Sequence, residues 1–185
     1  MNKVKFNLGC GNKKLDGYTN CDKFGDPDIK LDLEVFPWPI DDDYVDEILM
    51  VHVLEHLGQT KECFIGVLRE LYRVCKNGAE IKIIVPHYNH DNFKSDPTHV
   101  RIITPETLHL FDKSFNNECI KNGYSNSTLG LDYDLDFKTT NVKYHLDPQF
   151  KIHYYQNKDR IDLNMAMQHY NNVISEIEIH LEVVK

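Results

Sequence analysis

Short runs of apolar residues recur along the chain and predict most of its secondary structure. Seven stretches have the length or the alternation of a β-strand: residues 4–8, 18–22, 29–32, 46–53, 79–85, 133–146 and 174–184. Apolar residues spaced three to four apart predict a helix over 59–76, and two further helices are predicted over 104–115 and 159–173. The last strand alternates apolar and polar residues, as expected for a strand with one face in water.

The order of these elements predicts an α/β fold. Strands alternate with helices as far as about residue 115, and two strand-like runs close the chain, so we expect a parallel sheet finished by an antiparallel pair. Asn77-Gly78 is expected to end the first helix, and Thr104 followed by Pro105 to begin the second. No repeat or linker interrupts the pattern, which predicts one domain over residues 1–185. Residues 87–100 form a long polar loop, and such loops are often functional.

Composition and charge exclude several classes of protein. The chain has 185 residues, 41% of them hydrophobic, which is enough to bury a core. Its 21 basic and 29 acidic side chains leave a net charge of −8, which disfavours nucleic acid as a partner. No apolar window is long enough for a membrane span and no secretory leader is evident, so we expect a cytoplasmic protein without a membrane partner. Five cysteines without a CxxC pair indicate reduced thiols.

A glycine turn and two acidic residues mark the ends of the first three predicted strands. In Gly9-Cys10-Gly11 the missing side chains would let a ligand lie against the backbone at the carboxyl end of the first strand. Lys14 stands where a dinucleotide fingerprint would have its third glycine, which weakens the dinucleotide interpretation. Asp22 ends the second strand, where its carboxylate could accept hydrogen bonds from both hydroxyls of a ribose. Asp32 and Leu33 follow the third strand, where they could meet an adenine amino group and ring.

Together with later stretches, these residues resemble the class I S-adenosylmethionine-dependent methyltransferases. The stretches FNLGCGN, GYTNCD, DIKLDLE, VDEILMVHVLEHL, SDPTHVRIITPETLHLF and EIEIHLEVVK match a compact subgroup of that family. The resemblance implies a Rossmann-like, seven-stranded, mostly parallel sheet whose last strand is antiparallel, with helices on both faces. It also implies S-adenosyl-L-methionine as the cofactor. Residues 4–111 would form the cofactor-binding core, and residues 112–185 the acceptor-side region and the sheet-closing strands.

The resemblance further implies which residues hold the cofactor. The glycine turn would line the methionine part of the cofactor, and Asp22 would bind its ribose. Asp32 and Leu33 would flank the adenine, and Val51-His52 would close over the sulfonium end. The full set of expected contacts is Leu8, Gly9, Cys10, Gly11, Asn12, Asp22, Asp32, Leu33, Val51 and His52. Only residues 9–17 separate the first two predicted strands, whereas a parallel crossover normally needs a dozen or more residues. The first helix is therefore expected to be vestigial.

Methyl transfer from a sulfonium needs mainly alignment and the exclusion of water, because the methyl group is already activated. A hydroxyl acceptor would benefit from a general base, and histidine is suited to that task near neutral pH. His52 follows the fourth strand and His87 the fifth, so both are candidate catalytic residues. Alternatively, His52 only contacts the cofactor and His87 only shapes the acceptor pocket. We expect a small-molecule or glycan acceptor, with a sugar hydroxyl suggested by analogy alone.

Two other functions compete with methyl transfer. His52, Glu55 and His56 satisfy the H-x-x-E-H pattern of inverted zinc peptidases, whose chemistry needs both histidines on one sustained helix. Because Gly58 follows immediately, no such helix is expected and no metal ligands are assigned. A non-catalytic protein that keeps the cofactor pocket and docks a partner is the other alternative. A further group of metal-ligand types shares the loop after the fifth strand: His87, His90, Asp91, Asp96 and His99.

Overall fold

Seven strands form one mixed sheet in the computed structural model, which describes residues 3–185. Their spatial order is β3-β2-β1-β4-β5-β7-β6. Neighbouring strands from β3 to β5 are parallel, whereas β7 runs antiparallel to both β5 and β6. The expected fold class, with an antiparallel last strand, is confirmed. The strands are β1 Lys5–Leu8, β2 Thr19–Asp22, β3 Ile29–Lys30, β4 Val45–Val51, β5 Cys75–Pro86, β6 Phe137–Leu146 and β7 Ile174–Val183.

The helices lie in the connections that follow β4. Most begin at a threonine or aspartate whose side chain accepts a backbone N–H of the first turn, as Thr60, Thr104 and Asp112 do. A 3-10 helix, Leu54–His56, precedes the first of them. The α-helices are α1 Lys61–Val74, α2 Asp91–Lys94, α3 Pro105–His109, α4 Lys113–Asn122, α5 Leu129–Tyr133, α6 Pro148–Gln156 and α7 Leu163–His169.

All three predicted helices differ from the expectation, and the structure contains helices that are not predicted. The helix predicted over 104–115 starts at the predicted residue but is two helices, because Asp112 caps a new one through Phe115 N–H at 3.0 Å. The first helix ends at Val74, and Asn77-Gly78 lies inside β5, where the pairing with β4 is irregular. The helix predicted over 159–173 is shorter, and α6 was not predicted, although Asp147-Pro148 carries the same cap-and-proline signal as Thr104-Pro105.

One face of the sheet carries the hydrophobic core. Cross-strand pairing aligns Phe6, Ile48, Ile81 and Leu181 in a row across four strands, and each is at most 3% exposed. These side chains share one buried cluster with residues of α1, α3 and the segment that follows it, among them Phe64, Leu68, Leu71, Leu108 and Phe111. Helices α1 and α3 therefore pack on this face, whereas Ala166 of α7 belongs to a separate small cluster with Val173 and Ile174.

The opposite face is polar. Lys5 pairs with Glu47 at 2.9 Å, and Glu178 pairs with Lys82 and Lys143, both at 3.1 Å. The side chains of Lys82 and Lys143 are 38% and 55% exposed, so this part of the face is open to water. Within residues 3–185, the connections from β1 to β4 contain no helix. The expected loss of the first helix is thus confirmed, and it extends to the next two connections.

The cysteines have no disulfide partner among the described residues, in agreement with the prediction of reduced thiols. Cys10, Cys21, Cys75 and Cys119 are buried, and Cys63 is half-buried. Burial raises the pKa of Cys21 and of Cys75 to about 12, which makes these thiols poor nucleophiles. None of the helices among residues 3–185 has both the length and the apolar character needed to cross a bilayer.

Candidate functional site

A pocket of about 190 Å³ opens at the carboxyl edge of the sheet, where β1, β2, β3 and β4 end side by side. Ligands of open α/β sheets bind at this edge, in the crevice outside the carboxyl ends of the strands. The pocket brings together five of the residues predicted from sequence to hold a cofactor: Gly9, Asp22, Asp32, Leu33 and His52.

The other five predicted residues lie next to the pocket without lining it. Leu8 is fully buried in the core, and Cys10 is 6% exposed. Gly11 and Asn12 are exposed in the turn beyond Gly9, and Val51 is half-buried at the end of β4. Contacts of these five residues with a cofactor stay predictions.

Six lining residues were not predicted as site residues. Phe24 lines the pocket and is 70% exposed. Its sequence signal is an aromatic residue in a polar loop, two positions after the strand-end carboxylate of Asp22. The remainder come from turns whose shape depends on tertiary contacts. The unpredicted lining residues are Lys23, Phe24, Leu31, Val53, His56 and Leu57.

Gly9 lies where the turns after β1 and β4 touch. Its backbone has φ of +69°, a conformation that residues with a side chain rarely adopt. A Cβ atom at this position would come within 2.9 Å of Val53 Cγ1 and closer still to Cγ2. Glycine is therefore required both by the backbone conformation and by the close approach of Val53.

Asp22 accepts two backbone N–H groups beside the pocket and can still accept further hydrogen bonds. Its Oδ2 accepts the Gly11 N–H at 2.8 Å, and its Oδ1 accepts the Phe24 N–H at 2.8 Å. Each carboxylate oxygen has a second acceptor position. Asp22 can thus hold the glycine turn and still accept two hydroxyl groups from a ligand.

His52 lies between two carboxylates at the end of β4. Its φ is +55°, an uncommon conformation for a residue other than glycine, and its N–H donates to Ile84 O at 2.9 Å. Nε2 lies 2.9 Å from Glu176 Oε1, and Nδ1 lies 3.5 Å from Glu55 Oε1. The Glu55 carboxylate raises the pKa of His52; burial opposes this rise, and Glu176 adds to it.

His87 is the other candidate catalytic residue, and it is 8% exposed. Its Nδ1 accepts the Asn89 N–H at 3.2 Å, so the neutral ring carries its proton on Nε2. Burial lowers the pKa of His87, and the charges of His90 and Lys94 lower it further. A catalytic role for His52 or His87 stays a prediction.

A second cavity, of about 360 Å³, lies beside His87 at the ends of β5, β7 and β6. The ring of Tyr88 stacks on that of His87, with 4.4 Å between the ring centroids. Most of the cavity wall comes from the loop after β5 and the start of α3, and residues 112–185, expected on the acceptor side, contribute Tyr144 and Ile177. The lining includes His87, Tyr88, Thr104, Glu106, Tyr144 and Ile177.

The two candidate metal groups are not assembled as the sequence patterns would require. His52 precedes a three-residue 3-10 helix, so the expectation that no sustained zinc helix forms is confirmed. In the loop after β5, His90 Nε2 lies 3.3 Å from Asp147 Oδ2 and so contacts a residue outside the candidate metal group of that loop. Instead, His99 lies with Glu55 and His56, and one ligand atom of each is within 4.8 Å of the other two.

No protein-family model and no curated protein matches this sequence, but solved structures share its fold. A SAM-dependent methyltransferase from Archaeoglobus fulgidus is 16% identical, with a TM-score of 0.61 over 97% of this chain and 86% of that one. The 1,6-didemethyltoxoflavin-N1-methyltransferase of Burkholderia thailandensis, solved with 1,6-didemethyltoxoflavin and S-adenosylhomocysteine, is 9% identical, with a TM-score of 0.55 over 99% of this chain and 72% of that one. The cyclase SpnF is 13% identical, with a TM-score of 0.51 over 98% and 75%.

Because one of these neighbours is a cyclase, the shared architecture does not by itself define a reaction. At such identities the likeness establishes the fold. The chain has the Rossmann-like fold that is found in class I S-adenosylmethionine-dependent methyltransferases.

Proposed function

We propose that this protein transfers a methyl group from S-adenosyl-L-methionine to a small-molecule or glycan acceptor. The observation that carries the proposal is the pocket at the ends of β1 to β4, which joins Gly9, Asp22 and the Asp32-Leu33 pair. The backbone at Gly9 has no side chain and suits the amino-acid moiety of the cofactor. Asp22 has free acceptor positions that suit a ribose, and Leu33 beside the Asp32 carboxylate suits an adenine. Structural neighbours that use this cofactor support the assignment.

The residues present fit the cofactor in chemistry as well as in place. Asp22 would accept hydrogen bonds from the ribose hydroxyls through the lone pairs that Gly11 and Phe24 leave free. Leu33 and the exposed ring of Phe24 would pack against the adenine, with Asp32 as acceptor for its amino group. When bound, S-adenosylmethionine supplies an electrophilic methyl group that needs no further activation.

The second cavity is the proposed acceptor site. It lies along the same edge of the sheet as the first, since His52 N–H donates to Ile84 O of β5 and His87 N–H donates to Ser175 O before Ile177. With its proton on Nε2, His87 would donate a hydrogen bond to the acceptor and orient it, while Tyr88 and Tyr144 offer ring faces of the kind that bind a sugar or another flat ligand. A role for His87 as general base would require the opposite tautomer.

Ligand-induced stabilisation tests the cofactor assignment. A ligand at about 100 times its dissociation constant should stabilise the fold by about 2.7 kcal/mol, visible as a rise in melting temperature. We expect this rise with S-adenosylmethionine and S-adenosylhomocysteine, and no rise with NAD. Asp22→Asn should weaken cofactor binding roughly tenfold or more, because it removes charge-assisted hydrogen bonds.

Asp26→Asn is the matched control, because Asp26 is exposed in the same loop and does not line the pocket. Its binding should equal that of the unmodified protein. Absence of a shift with either sulfur compound would contradict the proposal. Binding of the cofactor without methyl uptake by any nucleotide sugar, glycan or small-molecule acceptor would favour the non-catalytic alternative.

A further inference from the structure

Three side chains of metal-ligating type meet beside the pocket, and the proposed methyl transfer does not use them as a group. Glu55 and His56 belong to the 3-10 helix after β4, and His99 belongs to the loop before α3. The rings of His56 and His99 lie 4.5 Å apart at 61°. Backbone bonds join the two segments, because the N–H of Val100 donates to Glu55 O at 2.9 Å.

Glu55 is the central observation. Its side chain is fully buried, and neither carboxylate oxygen has a hydrogen-bond partner among the described residues. A buried carboxylate without partners is strongly disfavoured unless another group compensates it. His52 Nδ1 is 3.5 Å from Oε1 without forming a hydrogen bond to it. The guanidinium of Arg101 lies over the ring of Phe64 and donates to Gly58 O; its Nε has no hydrogen-bond partner among the described residues, and no ion pair there joins it to Glu55.

The two histidines are arranged so that each keeps a free nitrogen. The Thr98 hydroxyl donates to Asp96 Oδ1 at 2.6 Å, so its oxygen accepts from His56 Nδ1–H at 3.0 Å. His99 Nδ1–H donates to the carbonyl oxygen of Phe93 at 2.8 Å. In both neutral rings the unprotonated nitrogen is therefore Nε2. The nearest carboxylate oxygen to His99 Nε2, on Asp96, is 3.9 Å away and beyond hydrogen-bond distance.

We propose that Glu55, His56 and His99 form a binding site for a divalent first-row transition metal, with zinc as the preferred ion. Two imidazole nitrogens and one carboxylate oxygen are the protein ligands of open zinc sites, whose fourth position is left to water or substrate. Metal-ligating histidines normally donate their second N–H to a protein oxygen, as both rings do here. His56 also lines the first pocket, so the ion would lie beside the proposed cofactor.

Metal titration of the full-length, tag-free protein tests this site without any cofactor present. After removal of bound metal with a chelator, isothermal titration with Zn²⁺ should show one ion per chain, and Mg²⁺, which prefers oxygen ligands, should not bind. Co²⁺ should give the visible absorption of a low-coordinate nitrogen and oxygen site. A thiolate-to-cobalt charge-transfer band would place the ion on a cysteine and overturn the assignment.

Variants separate a metal site from a structural contact. His99→Gln and Glu55→Gln should each abolish stoichiometric zinc binding. Thr98→Val keeps all three ligands but removes the partner of His56 Nδ1, and should weaken zinc binding by about 10- to 100-fold. His90→Gln is the control, because His90 is in the same loop and bonds to Asp147, and it should bind zinc as the unmodified protein does.

The absence of stoichiometric zinc binding by the unmodified protein, or equal binding by His99→Gln, would overturn the proposal. The contact between His52 and Glu55 would then compensate the buried carboxylate. Since every measurement is made on the cofactor-free chain, failure here is distinguishable from failure of the proposed methyl transfer.

Discussion

At the scale of single residues, a few side chains shape the backbone that surrounds the pocket. Asp22 holds the turn after β1 through Gly11 and its own turn through Phe24. Glu34 accepts the N–H of Gly58 at 2.8 Å and so ties the segment after β3 to the one before α1. These bonds connect turns that are distant in sequence, which keeps the pocket wall in one arrangement before any ligand arrives.

Gly9→Ala tests how closely that wall is packed. The change should lower stability by about 2–4 kcal/mol, because it adds an overlap with Val53 to the strain of a positive φ. It should also abolish cofactor-induced stabilisation at ligand concentrations that saturate the unmodified protein. Chemical denaturation and thermal shift measure the two effects.

Gly17→Ala is the matched control, because Gly17 has φ of +79° but nothing within 4 Å of an added Cβ. It should show only the backbone strain, about 1–2 kcal/mol, and leave ligand binding unchanged. Equal losses of stability in the two variants would mean that the Val53 contact is not a constraint.

At the scale of elements, β7 has two different faces. Ile177, Ile179 and Leu181 enter the core, whereas Glu178 lies on the polar face within reach of cations on both neighbouring strands. Burial favours the protonated form of Glu178, but hydrogen bonds from His180, Lys82 and Lys143 outweigh it and hold the pKa of its carboxyl well below its usual range. The alternation seen in the sequence therefore separates a core from an ion-pair network.

Glu178 should make stability depend on acidic pH. Because its pKa is lowered by folding, its contribution is present above the ordinary glutamate pKa of about 4.3 and is lost as pH falls below that value. Glu178→Gln should reduce the free energy of unfolding at pH 7 by about 1–3 kcal/mol and flatten its fall between about pH 4 and pH 2. Denaturant titrations across that range provide the measurement.

Glu80→Gln supplies the comparison, since Glu80 is exposed on the same face and has no ion pair among residues 3–185. Its pH profile should match that of the unmodified protein. A Glu178→Gln profile that also matched would show that the network does not stabilise β7.

The helices show what local signals can and cannot predict. Thr104-Pro105 began a helix where expected, because a cap and a proline act within one turn. The helix that starts there is shorter than predicted, because Asp112 caps α4. Asn77-Gly78 lies in a strand, because β4 pairs with the residues on both sides of it. Strand pairing comes from a partner elsewhere in the chain and overrides the local preference for a turn.

At the scale of the whole molecule, the main hydrophobic cluster lies on one face of the sheet, and a second, small cluster joins Ala166, Val173 and Ile174. The connections from β1 to β4 contain no helix in the described residues, and α1 and α3 pack on the face built by Phe6, Ile48 and Ile81. The other face remains hydrated through charged pairs. Some of the acidic side chains behind the net charge of −8, such as Glu47 and Glu178, therefore lie in ion pairs on this face of the sheet.

Two isoleucines on one strand test this asymmetry. Ile83 is fully buried on the core face, and its neighbour Ile84 is half-buried on the polar face. Ile83→Ala should cost about 2–5 kcal/mol, as expected for a cavity in a packed core. Ile84→Ala should cost less than about half as much. Equal costs, measured by urea denaturation, would indicate that a second core covers the polar face.

Local patterns were enough to predict the strands, the glycine turn, the strand-end carboxylates and the edge of the sheet where the pocket opens, because each depends on a few neighbouring residues and on strand order. The tertiary fold alone establishes which distant side chains come into contact. It placed Glu176 on His52 across 124 positions and brought His99 to Glu55 and His56. Such contacts depend on strand register and on how the loops pack over the edge of the sheet. Neither of these is encoded in the local periodicity of the sequence.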